Sequence, residues 1–201
     1  MSLESLASFS FVSRKYINMK RNVLIFGLIL GAILSINIFY TVNLLYTNPN
    51  FKSNDVIGYT VMVVVFSLTF FGIRNYRDKQ LNGVISFGKA FKTGALIAFV
   101  GSTVYIIVWL FYYYLFVPDF LDKFIAHMMQ RTADSGASAA QLADKKKEMD
   151  DFREMYKNPG FVILITYFEV LPVGLIVAFI SSLILKRKKT PEQPQSVQSF
   201  S

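Results

Sequence analysis

The chain has no cysteine and a single histidine, His127, among its 201 residues. Disulfide frameworks, thiolate metal sites and cysteine nucleophiles are excluded together, and one imidazole cannot build a multi-histidine metal centre. Charge is scarce as well. Asp, Glu, Lys and Arg make up 17% of the residues against a hydrophobic share of 53%, a balance too apolar for an ordinary soluble domain. The scarcity is also uneven: four apolar runs, residues 23–46, 56–73, 94–117 and 161–185, hold one formal charge between them, Glu169. A soluble four-helix bundle needs a polar stripe on every helix, and the first three runs contain no Asp, Glu, Lys or Arg from which to make one.

What is present is length. The runs are 24, 18, 24 and 25 residues long, and a helix rising about 1.5 Å per residue needs roughly 20 residues to cross a bilayer core of about 30 Å. The expected fold is therefore all-α, an integral membrane four-helix bundle, with the second span only just long enough. Basic residues orient it. Four lie before the first span (Arg14, Lys15, Lys20, Arg21), five between the second and third (Arg74, Arg77, Lys79, Lys89, Lys92) and four after the last (Lys186, Arg187, Lys188, Lys189). The first loop has only Lys52, and in the third loop seven basic residues are offset by eight acidic ones. The positive-inside rule then puts both termini in the cytoplasm. The formal charge of +8 is read as this topological signature and not as a nucleic-acid surface, which would gather its basic residues on a folded face.

The first run is too long for a cleaved signal peptide and lacks a small-residue cleavage pattern, so it is expected to stay as an anchor. Residues 1–22 read as a cytoplasmic N-terminal segment open to disorder, with Met19 as plausible a start as Met1. Residues 23–189 form the membrane domain, and 190–201 a disordered cytoplasmic tail.

Two loops invite functional readings. Gly83-Val84-Ile85-Ser86-Phe87-Gly88-Lys89-Ala90 has the G-x-x-x-x-G-K spacing of a phosphate-binding loop. It lacks the Ser or Thr after the lysine, the small flexible residues and the preceding strand that such a loop requires. Phe87, Ala90, Phe91 and Gly94 instead share a helical face, with Lys89 and Lys92 placed for phospholipid headgroups. The third loop, residues 118–160, is too long for a simple turn. Phe120, Leu121, Phe124, Ile125 and Met128 mark one amphipathic helix, Asp134-Ser135-Gly136 a break, and Ser138 with Gln141 the capping box of a second helix carrying Leu142, Met149, Phe152 and Tyr156. Asn158-Pro159-Gly160 ends it. The expectation is an amphipathic helical hairpin over the outer mouth, with apolar faces that cap the bundle, rest on lipid or bind a partner. His127 with Asp119 and Asp122 reads as solvated helix surface, since Asp119 lies about two turns from the imidazole.

Glu169 is the best lead to function, because an intramembrane carboxyl is costly to keep. Counted from the outer boundary, Glu169 and Asn37 on the antiparallel first span lie at similar depths of about 12–13 Å. Trp109 is level with them and Tyr105 one turn deeper, which makes these four a candidate intramembrane polar site. Pro172 removes the hydrogen bond to the carbonyl of Phe168 and is expected to kink or loosen the last helix. A protonatable site coupled to helix movement and a protonated carboxyl used as a packing donor both fit; the second needs fewer assumptions. Gly27 and Gly31, Gly94 and Gly101, and Gly174 at small-residue spacings suit close helix packing, within one bundle or between protomers. The cluster Trp109, Phe111, Tyr112, Tyr113, Tyr114 and Phe116 reads as an interfacial belt.

With those elements placed, the chain resembles the bacterial membrane proteins grouped as domain of unknown function 4199. The resemblance runs from about Met19 to Lys189. It rests on Gly27-Leu28-Ile29-Leu30-Gly31, Ile85-Ser86-Phe87-Gly88-Lys89-Ala90-Phe91-Lys92-Thr93-Gly94, Pro118-Asp119-Phe120, Asn158-Pro159 and Ile180-Ser181-Ser182-Leu183-Ile184-Leu185-Lys186. It implies four spans and a bacterial inner-membrane location, and brings no reaction, cofactor or catalytic residue with it. The functional expectation is a non-enzymatic structural, accessory or regulatory component without a cofactor, in contact with the lipid bilayer and forming a homo-oligomer or part of a larger membrane complex. The alternative is a small oligomeric transporter or channel that uses Glu169.

Overall fold

The computed structural model describes residues 3–48 and 54–187, with side chains in the first helix from residue 19 onward. It is helical throughout, with α1 Leu3–Thr47, α2 Asp55–Phe66, α3 Leu68–Gln80, α4 Phe87–Leu115, α5 Phe120–Asp134, α6 Ala139–Tyr156 and α7 Pro159–Leu185. Among the described residues the only extended pairing is a single bridge between Ile85 and Arg187. Four stretches are long and apolar enough to cross a membrane: Met19–Thr47, Asp55–Gln80, Phe87–Leu115 and Pro159–Leu185. An even number of crossings returns the chain to the face it left. We call that face the basic end and the opposite one the hairpin end.

Local chemistry sets the boundaries. With no Gly or Pro between Leu3 and Asn22, nothing stops α1, and its backbone is helical from Leu3, where a separate segment open to disorder is expected. Asn54 caps α2 by accepting from the amides of Val56 and Ile57, as short polar side chains do at helix starts. The second span, expected as one 18-residue run, covers 26 residues and divides at Ser67 into α2 and α3. The Ser67 hydroxyl donates to the Val64 carbonyl (2.5 Å) and competes with the regular ladder there. The span is longer than its apolar run because α3 continues as a polar helix through Arg74, Arg77 and Lys79. Residues 190–201, expected as a tail, lie outside the described residues.

Glycine sets how closely the spans approach. A Cβ on Gly27 or Gly31 would fall 2.6 Å from Val100 or Val104, and one on Gly101 would fall 2.5 Å from Leu30. Stepping four residues along α1 steps four along α4 in the same direction, so these two helices run parallel. A Cβ on Gly94 would be 2.9 Å from that of Ala178, and one on Gly174 2.9 Å from that of Ala98, so α4 and α7 run antiparallel. The five small-residue positions noted in the sequence thus lie inside one bundle with α4 as its middle helix. Lipid and helix interior are equally apolar, so such contacts work by van der Waals packing and not by expulsion of water. Outward faces are correspondingly apolar: Val56, Phe168 and Ile184 are each more than 60% exposed, far beyond what a water-soluble surface tolerates.

At the basic end polar side chains fasten the helices. Asn22 donates to the Gly72 carbonyl (3.0 Å) and accepts from Asn75 (2.7 Å). Buried Arg77 pairs with Asp78 and reaches the Leu185 carbonyl at the end of α7 (3.3 Å). The stretch that imitates a phosphate-binding loop is a turn with Asn82 and Gly83 at positive φ, followed by the first turn of α4, where Gly88 and Lys89 are already helical. Phe87 and Phe91 stack at 6.0 Å, and each meets Phe179 of α7 edge-on.

Candidate functional site

The hairpin end is built differently. Gly136, at φ +81°, turns the chain between α5 and α6, and the capping box starts α6: the Ser138 side chain accepts from the Gln141 amide while Gln141 accepts from the Ser138 amide. Leu121 and Ile125 of α5 and Met149 and Tyr156 of α6 are buried in one cluster with Val42, Trp109, Tyr113, Val117 and Val162. Of the three uses open to the hairpin's apolar faces, the structure has them capping the bundle.

Asn158 accepts from the Gly160 amide and starts α7 with Pro159 in its first turn. From there Val162, Thr166, Val170, Gly174 and Ala178 form the buried stripe of the helix. Glu169 lies about 100° around the helix from Val170, on the flank of that stripe, and about 15 Å along the axis from Pro159. α7 stays helical through Pro172, so the sequence's expected loosening takes the form of one missing donor, at the Phe168 carbonyl beside Glu169.

The Glu169 side chain opens onto two adjoining cavities. The smaller, about 300 Å³, is walled by Tyr105 and Trp109 of α4, Phe120, Phe124 and His127 of α5, Tyr156 of α6 and Thr166 of α7. The larger, about 490 Å³, lies between α1 and α2, with Asn37, Tyr40, Asn54 and Tyr59 on its walls and Met128 of α5 above. Thr41, Phe124 and Glu169 line both and form the partition between them. The four residues proposed from sequence depth are therefore all brought to this space, Tyr105 and Trp109 on one side of Glu169 and Asn37 on the other.

They do not form one hydrogen-bonded cluster. Among the described residues no hydrogen bond or ion pair joins Glu169 to Asn37, and the Trp109 indole lies beside the Tyr156 phenol, close enough to influence its titration. Burial pushes the Tyr156 phenol up to about 12, with the neighbouring indole working in the opposite direction. Sequence reasoning missed Tyr156, Thr41 and Phe124 as members of the site. Tyr156 and Phe124 had been noted only as apolar-face residues, and nothing in the spacing shows that the hairpin lowers them onto α4 and α7. The aromatic run splits by helical face: Trp109 and Tyr113 are 4% and 8% exposed, whereas Phe111 and Phe116 are 64% and 72% exposed. Only the outward members fit the belt.

α5 roofs both cavities and is pinned at each end. Near its start Asp119 accepts from the Tyr46 hydroxyl of α1 (2.6 Å), while Lys123 stands 4.3 Å over the Tyr46 ring. Near its end Arg131 makes a two-pronged pair with Asp55 of α2 (3.1 and 3.0 Å). Arg153 of α6 holds Asp122 (2.7 Å). The Tyr46 hydroxyl, ahead of Lys123, holds the Asp119 carboxyl below the usual carboxylate range. Asp119 and Asp122 are thus taken up by Tyr46 and Arg153, while His127 faces the cavity, and the three do not converge.

A family model described as "Protein of unknown function (DUF4199)" matches residues 24–187. No curated protein and no solved structure matches the chain.

Proposed function

The chain belongs to the DUF4199 family, whose description assigns no activity, and from that premise we propose an accessory or regulatory component of the bacterial inner membrane, non-enzymatic, with the basic end in the cytoplasm. The orientation rests on the thirteen Lys and Arg residues that border the basic end in sequence. The regulatory role rests on one observation: the two cavities that Glu169 lines both lie toward the hairpin end. Below Glu169 the helices pack closely, since a Cβ on Gly174 would fall 2.5 Å from Phe66 and one on Gly94 2.8 Å from Ile73. A molecule that reaches Glu169 from the hairpin end meets packed helices beneath it, an arrangement suited to binding and signalling to a partner. The same surfaces would contact lipid and a homo-oligomeric or larger complex; no nucleic-acid partner is assigned.

The second reading, a small oligomeric transporter or channel, is favoured by the unpaired Glu169 carboxyl at the partition of two cavities. Purification of the full chain from native membranes in mild non-ionic detergent, with identification of what co-elutes, separates the two. A defined partner in stoichiometric amount is expected. A pure homo-oligomer that carries solute in liposomes, and loses that flux on Glu169→Gln, would overturn the accessory reading in favour of transport.

A further inference from the structure

We infer that the paired cavities bind a small amphiphilic organic cation, a tertiary or quaternary ammonium on a short apolar body, with Glu169 as its counter-ion and aromatic rings around it. This deepens the proposed regulatory function and rests on it for its biological meaning.

Charge decides the sign of the ligand. Glu169 lines both spaces, and among the described residues no Lys or Arg lines either of them, His127 being the one basic side chain on the walls. Asp55, at the mouth of the larger, is already matched by Arg131, whereas Glu169, exposed to this space, makes no hydrogen bond or ion pair among the described residues. An anion would be driven toward Glu169 with no cation to receive it. A desolvated ammonium gains from the carboxylate and also from ring faces, which attract cations within about 6 Å. Tyr105, Trp109, Phe120, Phe124 and Tyr156 provide such rings around the smaller cavity. The volumes, about 300 and 490 Å³, fall in the roughly 300–1,000 Å³ range of small-molecule sites. A metal ion would find no group of three His, Asp or Glu side chains to hold it among the described residues. A cation carrying its own apolar body matches these walls, and the larger cavity between α1 and α2 provides space for that body.

The chain carries its own reporter, because Trp109 is its single tryptophan and lines the smaller cavity. The full chain in maltoside detergent is titrated with hexyltrimethylammonium, and separately with hexanesulfonate as the anion of matched chain length, while Trp109 emission is followed. A saturable change with the cation and none with the anion is expected. Glu169→Gln should weaken the cation's apparent affinity by about tenfold or more, as loss of a desolvated charge partner does, whereas Glu169→Asp retains most of it. Equal responses to the two ions, no saturable response to the cation, or a folded Glu169→Gln protein that titrates like the parent would each overturn the assignment. Should Glu169→Gln not fold, Phe124→Leu takes its place. It removes a ring shared by both cavities and leaves the carboxyl, so weakened cation binding supports the assignment and unchanged binding overturns it. Co-elution of a partner is scored independently. A captured partner without cation binding defeats only the ligand, and cation binding without a partner defeats only the accessory reading.

Discussion

The two halves of the bundle use opposite residues for opposite ends. At the basic end glycines bring helices to contact, and the buried polar side chains Asn22 and Arg77 spend their hydrogen bonds on neighbouring backbone and on Asn75 and Asp78. At the hairpin end large aromatic side chains line open space, and the Glu169 carboxyl makes no hydrogen bond or ion pair among the described residues. Small residues close a membrane bundle because nothing but packing holds it together; bulky ones leave space that must be covered, which here is the task of α5. The contrast locates function: an unsatisfied carboxyl is tolerable where a ligand or water reaches it and not where helices touch.

If closure depends on glycine, filling its contacts should do the greatest damage. Gly31→Leu places atoms against Val104 and, at 2.8 Å, the Gly101 carbonyl oxygen, a backbone atom that cannot swing aside. We expect a loss of about 3 kcal/mol or more, the upper range for overpacked cores, read as aggregation or a sharply lowered Tm in detergent. Gly88→Ala, in the first turn of α4 with open space around it, should be neutral or slightly stabilising through the better helix propensity of alanine. A tolerated Gly31→Leu would break the comparison at its base.

The polar clamp comes next. Asn22→Leu removes the donor to the Gly72 carbonyl and the acceptor for Asn75 at once. A loss of about 1–2 kcal/mol is expected, since hydrogen bonds within membranes average less than 1 kcal/mol and two are lost. Thermal unfolding of the purified variant measures it. At the hairpin end the matching test is a double-mutant cycle on Trp109→Phe and Tyr156→Phe. If the pairing of the indole with the phenol fastens α6 to α4, the coupling energy should be about 0.5–1 kcal/mol; zero coupling would mean that the hairpin is held by its apolar face alone.

How much of this was legible in the sequence follows the same division. The four spans, the hairpin, its break at Gly136 and the Ser138 capping box depend on spacing within one segment and were legible, except that the second span runs on to Gln80 and divides at Ser67. The glycine positions were legible as packing sites, but which helix each would meet was not. Parallel and antiparallel registers appear only when Gly31 is seen against Val104 and Gly174 against Ala98. Depth counting gathered Glu169, Asn37, Trp109 and Tyr105 into one region, because rise per residue is nearly constant across antiparallel helices. It could not orient their side chains, nor show that Tyr156, arriving from the extramembrane hairpin, comes to lie beside the Trp109 indole. Asn22 and Arg77 were hidden for a plainer reason. A polar residue at a span boundary looks solvated until a neighbouring helix covers it.

The smallest expected effect concerns the pins of the roof. Arg131 and Asp55 are both well exposed, and exposed pairs contribute about 0–1 kcal/mol even with two-pronged geometry. Arg131→Gln should therefore leave thermal stability nearly unchanged. What it should alter is access: with one end of α5 released, Trp109 emission should become more sensitive to a soluble quencher such as acrylamide. The Tyr46 pin adds a pH sign. Asp119 is depressed in the folded state, so its contribution is complete above the ordinary carboxylate pKa of about 4 and is lost as the pH falls through the lowered value. Acidification into that window should raise quenching in the parent and have less effect in Tyr46→Phe, where the hydroxyl that depresses Asp119 is gone. If Arg131→Gln left quenching unchanged, α5 would be a fixed wall held by Leu121 and Ile125, and the hairpin end would be as permanently set as the glycine-packed end below it.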